Sequence, residues 1–108
     1  MSTNEPSFVT VARIEQVLPG KPVQVFVGDD PIALCNVQGE VYAISDICTH
    51  EAYYLSSGIL EGDEIECPMH AAVFNVRTGD VEIPPAEKPL RTYPCRVING
   101  EVQVGVKR

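Results

Sequence analysis

Two short segments contain both histidines of the chain, and each segment begins with a cysteine. They are Cys48-Thr49-His50 and Cys67-Pro68-Met69-His70, and sixteen residues lie between them. Thiolates and imidazoles are the protein ligands of zinc and of some iron–sulfur centres. One cysteine and one histidine at the tip of a hairpin can face the same centre, and two such tips would complete a four-ligand site. We therefore predict that Cys48, His50, Cys67 and His70 bind a metal centre.

Two kinds of centre can take two cysteines and two histidines. Structural zinc sites usually group the cysteines on one arm and the histidines on the other, with a helix carrying the histidines. Here each arm carries one of each, which suits a 2Fe-2S cluster with both thiolates on one iron and both imidazoles on the other. The order of the ligands thus favours the cluster, and a zinc-stabilised interaction module is the alternative.

The segments that must position these ligands are short strands. Nine prolines and eight glycines interrupt the chain, and no window keeps apolar residues at helical spacing for three turns, which predicts an all-β fold. The predicted strands cover 8–12, 23–27, 32–37, 41–44, 64–66, 90–98 and 101–107. Turns are expected at 28–31, 38–40 and 58–63 and at Asn99-Gly100, a strong hairpin signal. Proline has no N–H to donate, so residues 84–89 should form an ordered loop.

Length and charge restrict the function classes. A chain of this length, residues 1–108, should form a single domain. Within it we expect a smaller cluster-binding part, about 46–75, inserted between strands. The net charge of −7 argues against nucleic acid or an anionic membrane as a partner. The N-terminus has no signal-peptide pattern and no stretch is long enough to span a membrane, so we expect a soluble, cytoplasmic protein. In that compartment Cys35 and Cys95 are interpreted as small core residues.

The sequence resembles the Rieske iron–sulfur family, in which Cys-x-His, a spacer of this length and Cys-x-x-His form a specific pattern. The resemblance continues through Phe74-Asn75-Val76-Arg77-Thr78-Gly79 and through the proline-rich stretch 84–90 to Tyr93. It implies an antiparallel β-sandwich with a small inserted cluster-binding subdomain, and one 2Fe-2S cluster as cofactor. Cys48 and Cys67 would bind the inner iron, and His50 and His70 the outer, more exposed iron. By the same analogy, the loops around the cluster would be lined by Ala52, Tyr53, Ala72 and Pro84.

Four positions differ from the high-potential branch of the family. That branch has two further cysteines that join the loops by a disulfide, and this chain has Tyr53 and Met69 there. It also has a serine and a tyrosine whose hydroxyls donate to cluster and cysteine sulfur, where this chain has Ala72 and Phe74. Without those donors the added electron is less stabilised, so we expect a reduction potential in the lower part of the Rieske range.

In these respects the chain resembles the soluble Rieske ferredoxins of multicomponent aromatic-ring dioxygenases. The resemblance implies that the protein is a one-electron carrier and not an enzyme. It would take electrons from an NAD(P)H-dependent flavin reductase and pass them to the Rieske cluster of a terminal oxygenase. A monomer is expected. The alternative within the same fold is the small subunit of another reductase complex.

Three further predictions concern the surface around the ligands. Tyr53 and Tyr54 should cover the cluster and exclude water, and Met69 should be a flexible apolar cover. Acidic residues fall within or beside the ligand segments, where they form either a solvated face or a docking ring for basic partners. These residues are Glu51, Glu61, Asp63, Glu64 and Glu66.

Overall fold

The computed structural model describes residues 7–48, 53–68, 72–83 and 88–106. Regular structure in these ranges is β-strand, apart from two single 3₁₀ turns, Ile14–Gln16 and Leu55–Ser57. The all-β prediction is therefore confirmed. No helix in the described part of the chain is long and apolar enough to cross a membrane.

The described strands form three antiparallel sheets. The first, in spatial order, contains β1 (Ser7–Arg13), β11 (Glu101–Val106) and β10 (Cys95–Ile98). The second contains β2 (Val23–Val27), β3 (Asp30–Val37), β4 (Glu40–Ser45) and β9 (Thr92–Tyr93). The third contains β5 (Ile59–Glu61), β6 (Glu64–Glu66), β7 (Val73–Asn75) and β8 (Val81–Ile83).

Strand β3 is buried on both faces, which explains its unbroken apolar run. Ile32 and Leu34 pack in one core cluster with Val102 and Val104 of the first sheet. The alternate side chains of the strand point to its opposite face and belong to a second core cluster, together with residues of the third sheet; these are Ala33, Cys35 and Val37. The second sheet is thus the middle layer, with the first sheet packed against one of its faces and the third sheet against the other.

Two hairpin loops have the same backbone conformation although only one has the usual sequence. Gln38-Gly39 joins the paired residues Val37 and Glu40, and Asn99-Gly100 joins β10 to β11. All four loop residues have positive φ, from 52° to 91°. This is the combination that type I′ turns require, and it fixes the register of both hairpins.

Some predicted strand limits were wrong. Residues 90–98 do not form one strand, because β9 pairs with β4 in the second sheet and β10 pairs with β11 in the first. Pro94 lies at the break, where its missing N–H cannot extend a ladder, and its carbonyl accepts from the Gly105 N–H at 2.8 Å. The predicted turn 58–63 contains strand β5, because Leu60 is buried and pairs with Ile65. Asp30 and Pro31, predicted to lie in a turn, begin β3.

The predicted proline loop lies mostly outside the described residues, since 84–87 are not described. The chain on either side of it is fixed. The Leu90 N–H donates to the carbonyl of Gly79 at 2.7 Å, and Leu90 is buried in the core cluster beneath the third sheet.

Candidate metal centre

The two predicted cysteine ligands stand at the bases of two loops that are closed by the same pattern of backbone contacts. Ile47 pairs with Tyr54 in an antiparallel bridge, and the next residue, Cys48, donates its N–H to the carbonyl of Tyr53 at 3.0 Å. The second loop repeats this arrangement: Glu66 pairs with Val73, and Cys67 donates its N–H to the carbonyl of Ala72 at 2.8 Å. Each loop therefore closes between a cysteine and the residue five positions later.

Both thiols lie in the same apolar environment. Cys48 is 3% exposed and Cys67 is fully buried, and both belong to the core cluster that contains Leu55, Leu60 and Ile65. Cysteine ligates as the thiolate, and an uncompensated thiolate in such surroundings would be costly. A metal centre supplies the compensating positive charge, so this pair of buried donors fits one.

The other two predicted ligands lie outside the described residues. His50 stands in sequence between Cys48 and Tyr53, and His70 between Cys67 and Ala72, so each histidine belongs to one of the two closed loops. Among the described residues, no three histidine, cysteine or acidic side chains are grouped closely enough to hold a metal. The assignment of all four ligands stays a prediction.

Of the other two cysteines, Cys35 belongs to the core, as predicted, and Cys95 packs against the core while partly exposed. Cys35 is fully buried on β3, and Cys95 is half-buried against the first core cluster. Burial raises the pKa of the Cys35 thiol to about 12, with a contribution from the negative charge of Asp46, and burial raises the pKa of Cys95 to about 11. Both side chains stay protonated at neutral pH, and a protonated thiol is a poor ligand and a poor nucleophile.

Sequence reasoning missed one residue of this site, Asp46. It is fully buried two positions before Cys48, and its carboxylate accepts three hydrogen bonds. The donors are Gln24 Nε2 at 2.8 Å and both the backbone N–H and the hydroxyl of Ser56 at 2.6 Å. An acidic residue directly after the apolar strand β4 was the available signal, but its partners are 22 and 10 residues away in sequence.

Three of the acidic residues near the ligand segments lie together on one face of the third sheet, where Glu61, Glu64 and Glu66 line the same shallow pocket. Glu66 directly precedes Cys67, and Glu64 lies two residues earlier on the same strand, about 7 Å away. Asp63 is also paired with Arg77, at 3.4 Å, so part of its charge is compensated. Glu61 and Glu64 are exposed, and Glu51 lies outside the described residues.

The predicted cover residues are only partly described. Tyr53 and Tyr54 are 41% and 47% exposed beside the first loop, and Ala72 is fully buried beside the second. Ala52, Met69 and Pro84 are outside the described residues. A covering role for the tyrosines stays a prediction.

Comparison with known proteins decides the kind of centre. A family model described as the Rieske [2Fe-2S] domain matches residues 7–94. The chain belongs to the Rieske [2Fe-2S] family. Its cofactor is accordingly one Rieske-type 2Fe-2S cluster, and the zinc alternative is rejected.

Similar members of this family are ferredoxins. The chain is 40% identical over 103 residues to the biphenyl dioxygenase ferredoxin subunit of Pseudomonas sp. (strain KKS102), covering 94% of each chain. Its fold matches the Sphingomonas yanoikuyae B1 ferredoxin with a TM-score of 0.89 at 32% identity, over 93% of this chain and 99% of that one. It also matches a chain in a complex of reduced oxygenase and oxidized ferredoxin of carbazole 1,9a-dioxygenase, with a TM-score of 0.84 at 40% identity. This match covers 89% of this chain and 99% of that one. These relatives are electron-transfer components and not catalytic subunits.

Proposed function

We propose that this protein carries single electrons from an NAD(P)H-dependent flavin reductase to the Rieske cluster of a terminal aromatic-ring dioxygenase. The observation that carries the proposal is the pair of equivalent loops, each closed by the backbone of a buried cysteine. The names of the ferredoxin relatives support a dioxygenase system as the destination.

In this proposal Cys48 and Cys67 bind one iron, and His50 and His70 bind the other. When bound, the cluster accepts and releases one electron. The chain's own part would be to hold the two thiolates in an apolar core cluster, with each loop supplying one histidine. Neutral imidazoles replace two anionic ligands, which makes reduction easier than in a four-thiolate cluster.

The proposal includes the organisation and location of the chain. Residues 1–108 form one domain with the cluster-binding part at about 46–75, supported by the core cluster that the second and third sheets share. The protein works in the cytoplasm as a monomer, and the acidic balance of the sequence supports basic protein partners over nucleic acid or membranes. Size-exclusion chromatography of the holoprotein tests the monomer.

The test of the ligands compares cysteine variants. We expect wild-type protein to carry two irons and two acid-labile sulfides per chain, with the electron paramagnetic resonance spectrum of mixed cysteine and histidine ligation. Cys48→Ser and Cys67→Ser should lose the cluster. The matched control Cys35→Ala, which changes a buried core thiol, should keep it. Full cluster content in either serine variant would contradict the ligand assignment.

The test of the partners uses the intact cluster. Candidate reductases are mixed with NADH or NADPH and the ferredoxin, and bleaching of the cluster is timed by stopped flow. Oxygenase is then added, and product is measured per NAD(P)H consumed. Coupled product formation that requires the ferredoxin supports the proposal. A cluster that is intact but is never reduced in this assay would overturn the proposed partners and leave the ligands in place.

A further inference from the structure

The segment 54–58 connects the two cysteine loops, and we call it the brace. It starts at Tyr54, which closes the first loop by pairing with Ile47, and it ends at Gly58, next to strand β5. Its central residues, Leu55–Ser57, form a 3₁₀ turn in which the Gly58 N–H donates to the Leu55 carbonyl at 2.8 Å. The brace is therefore a short, internally hydrogen-bonded piece of chain between the loops.

The first end of the brace is tied to the residue two positions before Cys48. The backbone carbonyl of Asp46 accepts from the Leu55 N–H at 2.8 Å. Its carboxylate accepts from the N–H and the hydroxyl of Ser56, both at 2.6 Å. A buried carboxylate that loses a donor is left partly unsatisfied, which costs more than an exposed hydrogen bond would. Asp46 thus holds the brace firmly against the base of the first loop.

The second end of the brace meets the base of the second loop. A Cβ atom on Gly58 would overlap the backbone carbonyl oxygen of Glu66, the residue directly before Cys67. The adjacent pair Ile59 and Glu66 continues this contact as the β5–β6 ladder. Only glycine allows the two backbones to come this close.

The middle of the brace packs in the core cluster that contains both thiols. Leu55 is fully buried and belongs to the same core cluster as Cys48 and Cys67. A buried leucine in a close-packed interior resists displacement, because any shift leaves unfilled volume. The distance between the bases of the two loops is therefore fixed by contacts at both ends and in the middle of one short segment.

We propose that Asp46, Ser56 and Gly58 are positioning residues, which hold the two cysteine loops at the separation the cluster needs. The inference rests on the proposed ligand role of Cys48 and Cys67. In this chain Tyr53 and Met69 occupy the positions at which a loop disulfide would form in another branch of the family. The brace constrains the loops in its place, through hydrogen bonds, close backbone contact and packing.

The experiment compares Ser56→Ala with the matched control Asn36→Ala in purified holoprotein. Asn36, on a strand that carries no proposed ligand, donates a part-buried hydrogen bond to the Val17 carbonyl at 2.8 Å and accepts one from the Gly39 N–H at 2.9 Å, so this control removes at least as many hydrogen bonds as Ser56→Ala. The decay of the cluster's visible absorbance is followed in the presence of an iron chelator, together with the electron paramagnetic resonance spectrum and the urea midpoint. Ser56→Ala should lose its cluster about tenfold faster than wild type, as expected from one lost hydrogen bond to a charged group.

The control separates positioning from general stability. Both variants should unfold at lower urea, but only Ser56→Ala should show the faster cluster loss and a changed spectrum. Ser56→Thr keeps the hydroxyl and should restore the wild-type decay. Gly58→Ala, which perturbs the other end without removing any side-chain hydrogen bond, should also accelerate the loss.

Equal decay rates and unchanged spectra in Ser56→Ala and Asn36→Ala would overturn the role of the brace. Wild-type protein without a cluster would instead overturn the ligand assignment, so the two failures are distinguishable. If Gly58→Ala does not fold, the comparison of Ser56→Ala, Ser56→Thr and Asn36→Ala still decides the proposal.

Discussion

Two buried side chains near the second loop carry no hydrogen-bond donor. Ala72 accepts the N–H of Cys67 through its carbonyl, and its side chain is fully buried, as is that of Phe74. The reduced cluster carries one more negative charge than the oxidised cluster, so a donor near its sulfurs stabilises the reduced state. A hydroxyl introduced at either position could donate to a cluster or cysteine sulfur and would then raise the reduction potential.

We predict that Ala72→Ser raises the reduction potential. A hydroxyl that donates to a cluster or cysteine sulfur should raise it by about 40 to 90 mV, the equivalent of roughly 1 to 2 kcal/mol for one electron. Protein-film voltammetry measures the shift. Ala43→Ser is the control, because Ala43 is a buried alanine that faces the other core cluster. A potential that stays unchanged in Ala72→Ser, or that moves equally in both variants, would contradict the prediction.

The two type I′ hairpins differ in how readily their loop residues adopt the positive φ that the turn requires. Both loop positions need positive φ, which asparagine and glycine adopt more readily than other residues. The β10–β11 hairpin has Asn99 at the first position with φ of 52°. The β3–β4 hairpin has Gln38 at the same φ, so this residue is strained for its type.

We predict that Gln38→Asn stabilises the protein by about 0.5 to 1 kcal/mol, because it relieves this strain. The reciprocal change Asn99→Gln should destabilise by a similar amount. Urea unfolding measures both, and the midpoint should move while the slope of the transition stays constant. If both substitutions shift the midpoint in the same direction, turn conformation is not the cause.

In the described part of the molecule, ion pairs compensate only some of the acidic residues that give the chain its net charge of −7. Asp63 is partly compensated by Arg77, whereas Glu61 and Glu64 are exposed on the sheet that leads into Cys67. Long-range attraction to a basic partner accelerates encounter more than it increases affinity, which suits a carrier that must dissociate after each transfer. The field is screened over about 10 Å at 0.1 M salt.

We predict that reduction of the ferredoxin by its reductase slows as ionic strength rises. Stopped-flow bleaching of the cluster between low and high salt should show a decrease of about tenfold. The double variant Glu61→Gln/Glu64→Gln should flatten this dependence more than Glu15→Gln/Asp29→Asn, which removes the same formal charge outside the third sheet. A rate indifferent to salt would contradict electrostatic steering.

Much of the site follows from the residues alone. Alternating cysteine and histidine in two segments is a local pattern, and prolines, glycines and Asn99-Gly100 punctuate the chain locally, so the ligand candidates and the all-β class could be predicted. The continuous apolar run of β3 also indicates a strand from sequence alone. Only the packing shows that the two faces of this strand belong to two different core clusters.

Other features depend on contacts between residues that are distant in sequence and could not be predicted. Pro94 divides the predicted strand 90–98 between two sheets, because the halves find different partners. Asp46 reads in sequence as one more acidic residue of an acidic chain, but Gln24 and Ser56 make its burial tolerable. Gly58 reads as a turn residue, yet it is needed for the approach of Glu66. Residue types and their spacing are enough to identify which side chains could hold a cluster. The packing of the brace decided how the two loops that carry them are held together, because backbone approach and burial exist only once the sheets have assembled.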